Sequence, residues 1–180
     1  MAITGSPDDH VVQALLAASR AMVALVSRSL AALDADVTLA QFRALVLLAG
    51  HGPQRSTAMA RELQVAPSTL TRMCDRLVRK SLVQRFHRGH DRRSIWLALT
   101  PAGRDLVGTV MRARRRELER IVVASGLVAS PPAVDLLHDF VRAVGELPDE
   151  EWWRRWEASA DPVDGAPLMG VHRQADGAWA

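Results

Sequence analysis

Asp91-Arg92-Arg93-Ser94-Ile95-Trp96-Leu97-Ala98-Leu99-Thr100-Pro101-Ala102-Gly103 passes from turn to strand to helix within thirteen residues. It opens as an exposed turn with two arginines. It continues as an alternating apolar strand, with Ile95, Leu97 and Leu99 on one face and Trp96 and Ala98 on the other. It closes in a helix start, where Thr100 suits the cap and Pro101 the first helical position, whose N–H has no intrahelical partner in any case. Upstream, Leu82 to Arg88 forms the matching strand and Gly89-His90-Asp91-Arg92-Arg93 the turn. The pair is a β-hairpin with a cationic tip.

Two short helices precede that hairpin. Ser56 to Leu63 reads as a helix, Gln64-Val65-Ala66 as a turn, and Pro67 starts a further helix running to about Ser81. In that helix Leu70, Met73, Cys74 and Leu77 form an inner face, while Ser68, Thr69, Thr71, Arg72, Asp75, Arg76 and Arg79 lie outside it. Two helices on a tight turn, the second polar outside and opened by hydroxyl residues, make a helix-turn-helix, and the hairpin beside it is a wing.

Longer helices flank this centre. Residues 7–34 carry Ser6 as cap, Pro7 at the first position and Asp8 and Asp9 in the first turn, then Val12, Leu15, Leu16, Met22, Val23, Val26, Leu30 and Leu33 at helical spacing. So long a stripe exceeds what one small domain buries, which predicts a partner chain. Thr38-Leu39-Ala40-Gln41 is a capping box opening a helix through Leu48, ended by Gly50, Gly52 and Pro53. A fifth helix is expected from Pro101 to about Ala124, and a sixth from Ser130-Pro131 to the stop at Pro148. The fold class is therefore mainly α with a small β-hairpin wing. Helical segments (1–36 and 101–148), which the family resemblance given below implies to be a dimerisation domain, surround a winged helix-turn-helix domain (37–100). Residues 149–180 form a partly disordered tail, in which Trp152, Trp153 and Trp156 make a short helical turn and a patch that docks on the dimer body.

The chain has 180 residues, 48% of them hydrophobic, yet no uninterrupted apolar run reaches the roughly 18 residues of a membrane span. The first residues lack the basic and apolar stretches of a signal peptide, which predicts a cytoplasmic protein and no membrane partner. One cysteine, Cys74, allows no intramolecular disulfide and fits a reducing compartment. The net charge of +3 hides an asymmetry. Arg55 to Arg120 holds 16 Lys and Arg against 6 Asp and Glu, a net +10, and the remainder holds 7 against 14, a net −7. A basic middle between acidic ends is the footprint of a polyanion partner.

Catalysis finds no support in the residues: there is no nucleophile–base set, phosphate loop or paired-carboxylate motif. The six histidines form no H-x-x-x-H or Cys/His cluster, so neither metal nor cofactor is implied. Cys74 shares the apolar side with Leu70, Met73 and Leu77, which favours an inert thiol over a redox sensor.

Helix, helix-turn-helix, wing and two long helices together resemble the multiple antibiotic resistance regulator (MarR) family of bacterial transcription factors. The match is carried by Pro67-Ser68-Thr69-Leu70-Thr71-Arg72-Met73, by Asp75-Arg76-Leu77-Val78, and by Asp91-x-Arg93 followed by Leu99-Thr100-x-x-Gly103. It spans roughly residues 10–146. The resemblance implies a homodimer built from the first, fifth and sixth helices, a pseudo-palindromic operator, and release by a small aromatic or lipophilic effector. The tail after Pro148 lies outside the usual family length.

In a winged-helix dock, the start of the fourth helix enters the major groove. There Ser68, Thr69 and Thr71 meet phosphates, and Arg72 can reach guanine O6 and N7. Arg76 is a phosphate contact one turn on. Arg93 at the wing tip suits a narrow, A·T-rich minor groove, with Asp91 placed to orient it, and Arg88 and Arg92 are phosphate neighbours. The plainer alternatives are that Ser68 and Thr69 only satisfy N–H groups at the helix start, and that Asp91 and Arg93 form a solvated surface pair. The expected function is a homodimeric DNA-binding repressor. Its rivals are a winged-helix protein-interaction module and a ligand-sequestering protein, neither of which binds DNA.

Overall fold

The computed structural model describes residues 7–32, 36–88, 91–126 and 130–159, without the side chains of Pro7, Asp8, Arg88, Asp91, Arg92 and Arg93. Within them the order is α1 (Pro7–Ala32), α2 (Leu39–His51), β1 (Gln54–Arg55), α3 (Ser56–Glu62), α4 (Pro67–Arg79), β2 (Val83–Arg88), β3 (Asp91–Leu99), α5 (Pro101–Ser125), α6 (Pro131–Ala143) and α7 (Asp149–Ala158). Two compact units divide the chain, residues 1–39 with 109–127 and residues 40–108 with 128–180, so α5 contributes its first turns to one and the rest to the other.

The second unit is built on a buried cluster from five elements. Phe42, Leu45 and Leu48 of α2, Met59 of α3, Leu70 and Leu77 of α4, and Val83, Phe86 and Leu97 of the sheet are all buried. Between α3 and α4 the chain turns through Gln64, whose φ of 53° is left-handed. The amide N–H groups of Gln64 and Val65 donate to the carbonyls of Arg61 and Ala60, both at 3.0 Å, closing α3 in two residues as a helix-turn-helix requires.

The sheet has three antiparallel strands in the order β1-β3-β2. Gln54 pairs with Leu97 and Arg55 with Trp96, while β2 runs from Val83 opposite Leu99 to Phe86 opposite Trp96. Register then slips between Phe86 and Arg88, and His87 places Nδ1 3.0 Å from the Ser94 carbonyl. Strand β3 starts at Asp91 rather than Ser94, which shortens the connection to Gly89-His90, outside the described residues. Strand β1 carries no strand signature in sequence; it exists because β3 has a second edge to pair. For the same reason the strict alternation expected of β3 fails: Leu97 and Ala98 are both buried, and Ile95 is exposed.

Thr100 joins the wing to α5. Its N–H donates to the Leu82 carbonyl (3.1 Å), its hydroxyl donates to the Ser81 carbonyl (2.5 Å), and its Oγ1 accepts the Gly103 N–H (3.0 Å). Gly103 lies so close to this junction that a Cβ built on it would stand 2.0 Å from the Leu82 carbonyl oxygen.

In the first unit α1 buries Leu25 and Leu30 and leaves Val12, Leu16, Met22 and Val23 exposed. Residues Asp9–Ala32, with a mean hydropathy of 1.5, are long and apolar enough to cross a membrane, although Arg20 and Arg28 interrupt every apolar run. An arginine at the centre of a bilayer costs about 2.5–3.5 kcal/mol on insertion scales. Ser6, the expected cap, lies outside the described residues.

Helix α6 begins at the Ser130 cap, whose Oγ accepts the Ala133 N–H at 3.4 Å, and stops at Ala143 instead of reaching Pro148. Gly145, at a φ of +77°, turns the chain there, with Gly145 and Glu146 N–H groups donating to the Arg142 and Val141 carbonyls at 3.0 Å. Where a single helical turn was expected, α7 runs for 10 residues. Its acidic first turn, Asp149, Glu150 and Glu151, suits the positive end of the helix dipole. Trp152 packs on α2 and Trp156 on the first turn of α5. Residues 160–180 lie outside the described residues.

Gly103→Ala should lower unfolding stability by about 2 kcal/mol or more in chemical denaturation, since the added methyl meets a backbone carbonyl already engaged by Thr100.

Candidate nucleic-acid interface

Helix α4 separates its faces cleanly. Leu70 and Cys74 are 2% exposed and Leu77 0%, whereas Ser68, Thr69, Thr71, Arg72 and Arg76 are all exposed. The helix starts after Ala66, an extended N-cap with no side-chain bond, and Pro67 takes the first position. Ser68 and Thr69 therefore do not cap α4, and their hydroxyls engage no protein group among the described residues. The hydroxyl of Thr71 instead donates to the Pro67 carbonyl at 2.9 Å. Its hydrogen is committed, so Thr71 presents only lone pairs outward, to a donor such as a base amino group. Arg72 and Arg76 have no ion-pair partner among the described residues and project from the same surface.

Beside this helix, β2 carries an arginine that sequence reasoning did not single out. Arg85 places Nη1 2.7 Å from Asp75 Oδ1, and its Nη2 donates to the Thr71 carbonyl at 3.3 Å. A strand of the wing is thus pinned to α4 at two points one turn apart. The sequence places Asp75 outside the inner face of α4 and in the family match; its pairing with Arg85 needs β2 folded back along α4, which no local pattern encodes. The same applies to Arg55, whose guanidinium stands 5.5 Å from the Trp96 ring centre at the start of α3.

Arg88, Asp91, Arg92 and Arg93 lie on β2 and β3 by backbone, with Arg88 paired to Asp91 in the register. Their side chains fall outside the described residues, so the Asp91–Arg93 orientation is an expectation on those strands. Together, α4 and the hairpin bring Ser68, Thr69, Thr71, Arg72, Arg76, Arg88, Asp91, Arg92 and Arg93 into one unit.

Cys74 faces inward. Burial pushes its thiol up to about 11, opposed by the nearby Arg85 guanidinium, as the loss of solvent weighs more on a thiolate than one partly paired cation relieves. Among the described residues no group of His, Cys, Asp and Glu could hold a metal ion. His51, at the end of α2, puts Nδ1 3.3 Å from the Leu47 carbonyl of its own helix and 3.5 Å from Glu62 Oε1, the second contact linking α2 to α3.

Comparison with known proteins finds the MarR family model matching residues 37–95, the stretch from the start of α2 into β3. The HTH-type transcriptional repressor MdtR of Bacillus subtilis is 38% identical over 84 residues, covering 47% of this chain and 54% of that protein. The chain spans about half the length of the curated relatives it matches. Among solved structures, RV1404 from Mycobacterium tuberculosis is 39% identical with a TM-score of 0.70, covering 81% of this chain and 99% of its own. A cysteine-to-serine mutant of MarR from E. coli, solved with operator DNA, shares the fold at a TM-score of 0.58 and 22% identity, covering 80% of this chain and 100% of its own.

Two outcomes test this geometry. A double-mutant cycle on Asp75→Ala and Arg85→Ala should return a coupling of about 0.5–1 kcal/mol by chemical denaturation, as for half-exposed pairs. With a thiol near 11, only about 0.1% of Cys74 is thiolate at a pH of about 8, so native protein should resist a thiol-exchange reagent that labels it once unfolded. Because the folded value lies above the ordinary 9.0, Cys74 also makes stability fall as pH climbs from 9.0 towards about 11.

Proposed function

This chain belongs to the MarR family, and we propose that it is a homodimeric, DNA-binding transcriptional regulator, a repressor of a pseudo-palindromic operator that a small aromatic or lipophilic molecule releases. One observation carries the reading: α4 buries its apolar face and turns Ser68, Thr69, Arg72 and Arg76 to solvent beside a wing strand fixed to it by Asp75 and Arg85. Hydroxyls and guanidinium groups without protein partners among the described residues, on a helix at the head of a basic segment, suit phosphates and guanine edges. The operator complex of E. coli MarR supports this use of the fold, and MdtR supports repression as its sign.

In this reading residues 37–100 read DNA. Arg93 enters the minor groove with Asp91 orienting it, and Arg88 and Arg92 meet phosphates. Residues 1–36 and 101–148 pair the subunits. The exposed apolar residues of α1 (Val12, Leu16, Val23) and of α6 (Val134, Leu137, Phe140) support that pairing, since water is a poor neighbour for two such stripes. A second subunit also accounts for the membrane-length apolar helix without a bilayer. The effector belongs to the same reading and is supported by NadR, a fold neighbour solved with 4-hydroxyphenylacetate. The protein acts in the cytoplasm, where its DNA is, and as a binder, not a catalyst.

Arg93→Ala should weaken operator binding at least tenfold in a gel-shift titration, while sedimentation still gives a dimer. For the unmodified protein, log K should fall with log salt at a slope of about −0.9 for each phosphate neutralised. A flat salt dependence would count against DNA as the partner and in favour of a protein-interaction or ligand-sequestering role.

A further inference from the structure

Helix α6 has no buried residue; all of it is exposed except the half-buried Val141. What attaches it to its unit starts where it ends. After the turn at Gly145, Glu146 pairs with Arg43 of α2, and Leu147 reaches Gly50. Helix α7 then lies against α2 and α5 with Trp152 and Trp156 only 7% and 9% exposed. The Trp152 indole N–H donates to the Val46 carbonyl at 3.4 Å, and the ring stacks on Trp156 at 5.4 Å. At the other end Arg104, in the first turn of α5, stands 4.1 Å from the Trp156 ring centre and donates to the Trp156 carbonyl and, at 2.9 Å, to Ser159 Oγ.

Gly50 shows that this seat has a cost in helix propensity. The sequence suggests a helix breaker there, yet α2 continues through Gly50 to His51. Alanine would suit that helical position better than glycine does. Its Cβ, however, would stand 2.7 Å from Cδ1 and 2.8 Å from Nε1 of Trp152. The better helix former is excluded by the indole. Helix propensity in α2 gives way to the docking of α7.

We propose that α7 is a clamp fixing the end of α6 to the DNA-reading unit, which makes Gly50, Trp152 and Arg104 positioning residues for operator binding. The inference rests on the dimeric DNA-binding reading above. If α6 offers its apolar face to the partner subunit, the tie from α6 to α2 and α5 sets how firmly that partner locates α4 and the wing. Arg104 completes the tie close to the recognition helix, because Gly103 beside it packs on Leu82 at the base of the wing.

The test uses full-length protein and a duplex selected from a random pool by the unmodified protein. Gly50→Ala adds one methyl under the indole and strengthens α2 as a helix, so it releases α7 without unfolding the reading unit. Tryptophan emission should shift to the red and become more accessible to acrylamide. Operator affinity should fall about tenfold, and affinity for a scrambled duplex should stay within twofold, because no basic surface residue has changed. An operator with one base pair inserted between half-sites should be rejected less sharply than by the unmodified protein. Trp152→Phe, which keeps a ring over Gly50, should retain most operator affinity.

Full operator affinity with α7 released, equal losses on both duplexes, or an emission spectrum unmoved by Gly50→Ala would each overturn the clamp. If the unmodified protein selects no duplex, the DNA-binding reading fails separately. Amide exchange over residues 131–143 then decides: a tenfold acceleration in Gly50→Ala supports the clamp, and an unchanged rate removes it.

Discussion

The contact between the first turn of α5 and the carbonyls of Ser81 and Leu82 holds the winged helix-turn-helix together. Four chain segments meet there: the end of α4, the start of β2, the end of β3 and the start of α5. Thr100 satisfies both carbonyls, one through its N–H and one through its hydroxyl, while its own oxygen caps α5. Gly103 lets the helix backbone come within reach of Leu82. A bulkier or less polar junction would separate the wing from the recognition helix. The Asp75–Arg85 pair would then be left to hold two elements that a partly solvated ion pair cannot align alone.

Charge illustrates how a sequence total differs from a surface. The basic middle of the chain contributes a long-range field set by the count of arginines. Contact with a ligand depends on where each guanidinium is spent. Arg85 holds Asp75, Arg55 lies over Trp96, Arg104 grips α7, and Arg115 and Arg120 pair with Glu119 and Glu117 along α5. Arg72 and Arg76 remain turned outward on α4.

Much of the fold was legible because its signals are local. Pro67 and Pro101 start helices where their missing N–H does no harm, the apolar spacing of Leu70, Cys74 and Leu77 gives α4 its inner face, and the hairpin announces itself through alternation and a polar turn. The hydroxyl and arginine face of α4 was legible on the same ground. Less visible were β1, the second buried face of β3 and the full length of α7. Gln54-Arg55 is a strand only because β3 has an edge to offer, and three tryptophans among charges say nothing of the surface they cover.

The order of elements, the cationic hairpin, the polar face of α4 and the apolar excess of the outer helices are all readable from the residues, since each follows from propensity and period within a few positions. The tertiary structure alone decided that Arg85 belongs to Asp75, that Thr71 spends its hydrogen on Pro67, that Gly50 is a seat for Trp152 rather than a helix end, and that Gly103 lies on Leu82. The physical reason is range. Periodicity reports which side of an element avoids water, but hydrogen bonds, ion pairs and steric exclusion act over a few ångströms between residues as far as 106 positions apart, and only the folded chain brings those together.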